Sequence, residues 1–266
     1  GSIYIKTKTG GYNQPLTINV NAEGGVATTG LIPEWVDGVD YAILNNQARA
    51  NSGYTQLYSP VAIQNFLRGD AYDLQYPNVD YRSLFLKPIL PVGNISVAIS
   101  GGGDKVKYAA SLSEFHSGDI VNTGYPQDYN RINIRMNNDW RVNNWIHVNA
   151  DINLANTNHT TPTFSAFNAT ERGPIWPIYW ADGRLAPGKD GDNVVAGVEN
   201  GGSNLEKTYR VSGKLQLDLT PVDGLTISAI AAPKYTFFKN KWHSKKHTME
   251  RLDGTTVIGY GHGATE

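Results

Sequence analysis

The 266-residue sequence contains no cysteine. That excludes disulfides, thiolate metal sites, iron–sulfur clusters and cysteine nucleophiles together. Charge is scarce and balanced: 18% of residues are charged, the net charge is −1 and the pI is about 6.7. Ordinary soluble domains carry roughly 25% charged residues. A near-neutral chain offers no electrostatic footprint for nucleic acid and no polybasic face for anionic lipid. No apolar run approaches the ~20 residues of a membrane-spanning helix, which excludes a helical membrane protein. No Ser/His/Asp grouping, Gly-rich phosphate loop or paired-carboxylate motif stands out. No cofactor, no metal and no enzymatic activity are therefore expected. The sequence opens at Gly1 without methionine and closes on a Gly-rich stretch, so both ends read as cut.

What is abundant is glycine, 28 residues, and asparagine, 25 residues. Such a composition leans toward strands and turns. The hydrophobic period is two, many times over. Leu16, Ile18, Val20 and Ala22 alternate with polar residues, as do Ile95, Val97 and Ile99. Val106 to Leu112, Ile132 to Met136, Ile146 to Leu154, Tyr209 to Leu219 and Leu225 to Ala231 repeat the pattern. Side chains on a strand point to opposite faces in turn, so these are seven strands, each with one apolar and one polar face.

Such a sheet has two homes. In a soluble sandwich the apolar face is the core. In an outer-membrane barrel it meets lipid, and the polar face lines the lumen. The connections favour the barrel. Tight turns at Gly101–Asp104, Arg141–Asn144 and Pro221–Gly224 alternate with long links at about 24–93, 116–128 and 156–207. In an antiparallel sheet this puts all short turns at one end and all long loops at the other, as transmembrane barrels do. Trp140, Trp145 and Tyr108 lie near strand ends, where an aromatic girdle would sit; cross-strand packing accounts for them equally well. Seven strands leave an open edge, so a membrane reading makes this chain part of a larger barrel.

On these residues the chain resembles the SusC/RagA family of TonB-dependent outer-membrane transporters. Gly1–Gly10 (GSIYIKTKTG) is similar to the segment that ends the family's plug. Val39–Ala48, Tyr76–Tyr81, the Asn94–Tyr108 hairpin and Tyr129–Arg135 resemble four further family segments, in the family's order. The resemblance covers about residues 1–232. It implies an all-β fold: an antiparallel up-and-down transmembrane β-barrel, present here as about seven strands of about 22, with short helices in long extracellular loops. Residues 1–12 would end the plug domain, and 13–266 would form the N-terminal part of the barrel. The implied function is import of oligosaccharides or peptides across the outer membrane of a Gram-negative, Bacteroidetes-like bacterium. The implied partners are a SusD-like surface lipoprotein acting as a lid, TonB through a segment absent here, the remainder of plug and barrel, and outer-membrane lipid. The alternative function is a soluble all-β glycan-binding module. An enzyme on such a scaffold has the least support.

Two groups of residues are candidate ligand contacts. Phe164, Phe167, Trp176, Tyr179 and Trp180 crowd the third long link, and flat aromatic faces stack on sugars and side chains. A loop packed on its own aromatics explains them as well. Arg131, Asn133 and Arg135 share one strand face, and His147, Asn149 and Asp151 share the next. They suit a water-filled lumen or a salt-bridge network against a plug. His243 and His247 have helical metal spacing, but Lys239–Lys246 has no apolar stripe and reads as a solvated loop. Lys189–Asn193 lacks the closing Glu of a calcium loop and reads as a turn. Asp37–Ala50 and Ser59–Leu67 read as short helices, the second with Pro just inside its start and Gly69 beyond its end.

Overall fold

A computed structural model describes residues 8–28, 34–122, 128–164 and 172–260. The seven expected strands form one antiparallel sheet. Its strands are β1 (Thr17–Thr28), β2 (Ile89–Gly102), β3 (Val106–Gly118), β4 (Asp128–Arg141), β5 (Ile146–Pro162), β6 (Gly202–Val222) and β7 (Leu225–Ala231). They pair strictly in chain order, as an up-and-down sheet must. β8 (Lys234–Ser244) also pairs with β6, beyond the stretch that β7 covers. Only Ala232 and Pro233 separate the two, and the Pro233 carbonyl accepts from Gly213 N at 3.0 Å. Together they form a seventh strand interrupted at a proline, a residue confined to edges and irregular positions because it has no N–H. This corrects the solvated-loop reading of Lys239–Lys246, because most of that segment is β8.

Turn chemistry explains the short end. Asp223–Gly224 joins Val222 to Leu225 as a two-residue hairpin, with Gly224 at φ 79°. Such turns need positive φ, which glycine adopts without strain. At the β4–β5 turn the Asn143 carboxamide oxygen accepts from Trp145 N at 2.9 Å and Ile146 N at 2.8 Å. The long connections, 29–88, 119–127 and 163–201, leave the opposite end.

Register aligns the two faces across the sheet. Val20, Val97, Leu112, Ile134, Leu154, Val211 and Tyr235 form one cross-strand row. Ile18, Ile99, Ala110, Met136 and Ile152 form the row beside it. This apolar face is bare: Val20 is 69%, Leu112 49% and Leu215 53% exposed. Among the described residues, no buried apolar residue lies on β1–β8.

The buried core sits in the long connections instead. The first contains α1 (Gly38–Asn51), α2 (Pro60–Phe66) and α3 (Tyr81–Phe85), and the third contains α4 (Val194–Asn200). Asp37 caps α1 and Ser59 caps α2, where Pro60 opens the helix, as the sequence predicts. Val79, Tyr81 and Phe85 pack with Phe164, Ile178, Val194, Val195 and Val198 in one cluster. Past β8, the hairpin β9 (Lys246–Glu250) and β10 (Thr256–Tyr260) docks on the third connection, where Glu250 N donates to Leu185 O at 2.9 Å.

Candidate functional site

The polar face of the sheet carries a foreign segment. Residues 8–14 lie across the short-turn end of β2–β5. Asn137 Nδ2 donates to Lys8 O at 2.7 Å, Asn13 N to Gly103 O at 3.1 Å, and Gly102 N to Gln14 O at 2.9 Å. Gly10 lies so close to the Tyr108 and Gly101 carbonyls that a Cβ there would collide with both. The approach therefore requires glycine.

Tyr12 is the centre of this attachment. Its hydroxyl donates to Asp139 Oδ1 and lies 3.4 Å from His147 Nε2. His147 Nε2 is 2.5 Å from the same carboxylate oxygen, and Lys107 Nζ is 3.4 Å from Asp139 Oδ2. The Arg141 guanidinium lies 3.6 Å over the Tyr12 ring, and Lys107 Nζ lies 4.9 Å from its centroid. Cations over an aromatic face are attracted by its quadrupole. His147 Nδ1 faces Asp218 Oδ2 at 3.7 Å, and Asp218 is itself held by Ser228 Oγ at 2.6 Å. Burial and the Asp139 acceptor push the Tyr12 phenol up to about 12, so it is a neutral donor at physiological pH.

The five polar residues expected to line a lumen share this face. His147 belongs to the Tyr12 cluster. Asn133 donates to Ser113 Oγ at 3.4 Å, and the Arg131 guanidinium lies 6.0 Å from the Phe115 centroid. Arg135 is exposed. Asp151 is half-buried and opposite Lys214 in register. Sequence reasoning missed Tyr12, Lys107 and Asp139. Their partners lie on other strands, so only the register brings them together. The Gly10–Gly11–Tyr12 sequence was the one local sign of a close approach.

The loop aromatics separate by burial. Phe164 (4% exposed) and Trp180 (8%) are inside the loop core. A Cβ on Gly197 would meet the Phe164 ring at 2.7 Å, which explains the glycine in α4. Trp180 Nε1 donates to Glu250 O at 2.7 Å, tying the third connection to the β9–β10 hairpin. Trp176 is half-buried, and its carbonyl accepts from Tyr81 Oη at 3.2 Å. Tyr179 is half-buried and donates to Glu199 Oε2 at 3.3 Å; burial and that carboxylate push its phenol up to about 12. Phe167 lies outside the described residues, as do Gly1–Thr7 of the plug-like segment. An open cleft of about 770 Å³ runs between the first and third connections, lined by Trp35, Tyr41, Tyr81, Asp37, Asp80 and Arg172 among others. His243 is on β8 and His247 on β9; among the described residues no three potential ligands converge on a metal site.

No family model matches the sequence, and no curated protein sequence does. Solved structures do. The RagAB peptide importer in its 'closed-closed' state superposes with a TM-score of 0.63 at 16% identity, over 93% of this chain and 30% of that chain. Its 'open-open' state gives 0.64 at 17% identity, over 92% and 30%. A further structure of the RagAB peptide transporter gives 0.64 at 16% identity, over 92% and 30%. At such identities the likeness is one of fold. The chain spans about 30% of the length of the structures it matches.

Proposed function

We propose that this chain is part of an outer-membrane nutrient importer of the SusC/RagA kind. The observation that carries the reading is the division of the sheet. Its apolar face is bare, and its polar face holds residues 8–14 in a charged cluster. A soluble sandwich buries the apolar face of its sheet. A transporter barrel gives that face to lipid and its interior to a plug. Likeness of fold to a peptide importer over nearly the whole chain supports the same reading.

In this reading residues 1–12 end the plug, and the rest supplies the first barrel strands and their extracellular connections. Tyr12, Asp139 and His147 fasten the plug's end to the wall. Arg131, Asn133, Arg135 and Asp151 face cargo in the lumen. Trp176 and Tyr179 are the loop aromatics available to cargo or to a SusD-like lipoprotein lid, while Phe164 and Trp180 hold the loop in shape. The cargo is peptide or oligosaccharide. TonB supplies the energy through a segment outside this chain, and no covalent step is assigned to it.

The test is electrophoresis of the native, detergent-extracted protein, boiled and unboiled. The expected result is a membrane-bound species much larger than 29.1 kDa whose mobility shifts on boiling. A 29.1 kDa species that is soluble without detergent and indifferent to heating overturns the proposal. Uptake of labelled oligopeptides against labelled oligosaccharides, with and without the protein, then distinguishes the cargo.

A further inference from the structure

The Lys239–Lys246 stretch has a role that its sequence hides. On the apolar face of β6 the unbroken alternation reaches Tyr209, and on β8 it reaches Phe237. These two rings are directly opposite in register, with centroids 6.2 Å apart. The next residues outward on that face are Lys207 and Lys239, again directly opposite, and then Leu205 opposite Lys241. Lys239 and Lys241 are exposed and Lys207 is half-buried. None of the three has an ion-pair partner among the described residues. The adjacent carboxylate, Glu206, lies on the other face and accepts from Asn204 Nδ2 at 3.3 Å. On β5 the residue opposite Lys207 is the uncharged Asn158.

Like charges directly opposite on antiparallel strands are destabilising. Here two such lysines, with a third beside them, stand immediately above an aromatic pair that closes a lipid-sized apolar band. Aromatic rings at a band's edge mark the level of the headgroups, and lysine stems reach along apolar surface to place their ammonium groups there. We infer that Lys207, Lys239 and Lys241 form a binding site for the phosphorylated headgroup of a lipid on the long-loop side of the membrane. The phosphate neutralises the opposed pair, and the acyl chains lie on Tyr209, Phe237 and Tyr235. The overall charge balance predicts no polybasic face. The register creates a local one by joining a lysine of β6 to two of β8.

The inference rests on the membrane reading, and the test keeps the two apart. The full-length protein in neutral detergent is titrated with lipid A carrying phosphate and with the same lipid A after phosphatase treatment, by native mass spectrometry. Each lysine is worth about fivefold near an anionic surface. The triple variant K207Q/K239Q/K241Q therefore binds the phosphorylated lipid about a hundredfold more weakly. The charge-conserving K207R/K239R/K241R retains it, and removal of the phosphate abolishes the difference. Unchanged heat-modifiable mobility certifies that each variant is folded. Equal retention by wild type and the Gln variant, or retention blind to phosphate, overturns the lipid site and leaves the membrane reading standing. Complete displacement by equimolar inorganic phosphate also overturns it, because the site then serves a free anion. A protein that needs no detergent and retains neither lipid refutes both readings.

Discussion

Placing a charge on the bare sheet face asks directly what solvent that face meets. Leu215 is the position of choice. It is 53% exposed, and its register neighbours are Ala150 on β5 and Ala231 on β7, so a longer side chain has room. The apolar alternation of β6 runs from Tyr209 to Leu219. At about 3.3 Å per residue Leu215 lies about 20 Å along the strand from Tyr209. With strands tilted by about 45°, that is about 14 Å of height in an apolar band about 25 Å tall, close to its middle. Leu215→Arg then costs about 2–4 kcal/mol if the face meets lipid. Since 1.4 kcal/mol is tenfold, the folding equilibrium falls by about 30- to 1,000-fold. If the face meets water, a surface substitution costs within about 0.5 kcal/mol. Leu219→Arg, at the band's end, is the internal control, with an expected cost of about 0–1 kcal/mol. The assay is reversible denaturant unfolding of the full-length protein in vesicles, followed by tryptophan fluorescence and gel mobility. The reasoning fails if the two variants lose equally little, or if depth has no effect on the loss.

Three further outcomes follow from the same geometry. The Tyr12 phenol is raised from 10.0 to about 12, so its neutral form is the one the fold favours. Its contribution is intact below about pH 10 and is lost as pH rises toward 12. Ultraviolet titration of wild type minus Tyr12→Phe should reveal one late phenol, and an ordinary midpoint contradicts the cluster. Asn193 is buried; its amide donates to Ile178 O at 2.8 Å and Ala186 O at 2.7 Å and its oxygen accepts from Ala196 N at 3.1 Å. Asn193→Ala orphans the Ala186 carbonyl and the Ala196 N–H at about 1–3 kcal/mol each, while Ile178 O keeps Ala186 N at 2.9 Å. Proteolysis within residues 172–201 should accelerate while sheet unfolding is unmoved; an unchanged cleavage rate argues against a cooperative loop core. Trp176→Ala should weaken cargo or lid binding by at least about fivefold, the ~1 kcal/mol that separates contributing interface residues from near-neutral ones. Unchanged affinity in a folded variant removes Trp176 from the contact surface.

Strand existence was legible because the two faces of this sheet differ in polarity. Where they do not, the alternation stops and the strand continues unseen. β5 runs to Pro162, yet Asn156, Asn158, Thr160 and Thr161 give no period beyond Leu154. The expected link of 156–207 shrinks to 163–201 for this reason. β8 was hidden by an inversion. Tyr235 and Phe237 share the apolar face with Lys239 and Lys241, while Phe238 and Trp242 lie on the opposite face. No single period survives such a switch. α4 was hidden by propensity: Val194, Val195 and Val198 are β-branched and disfavour a helix. Burial of all three and the Asn193 cap override that preference.

The site was less legible than the fold, for a reason that lies in register. A period of two places Arg131, His147 and Asp151 on one face, but it cannot say what stands opposite them. His147 acquires its role from Asp139 and Asp218 on the flanking strands and from Tyr12 far upstream. The loop aromatics show the converse. Their sequence crowding is compatible with a binding patch or a private core, and only burial sorts Phe164 and Trp180 from Trp176. Both lessons follow from one inversion of ordinary architecture. In a soluble domain the sheet's apolar face builds the core and loops ride on it. Here the connections bury their own core, and the sheet buries none. Apolar alternation in the strands therefore marks a face that is bare in this chain rather than a buried core. The stability of the loops is largely separable from that of the wall, which is why Asn193→Ala and Leu215→Arg should fail in different assays.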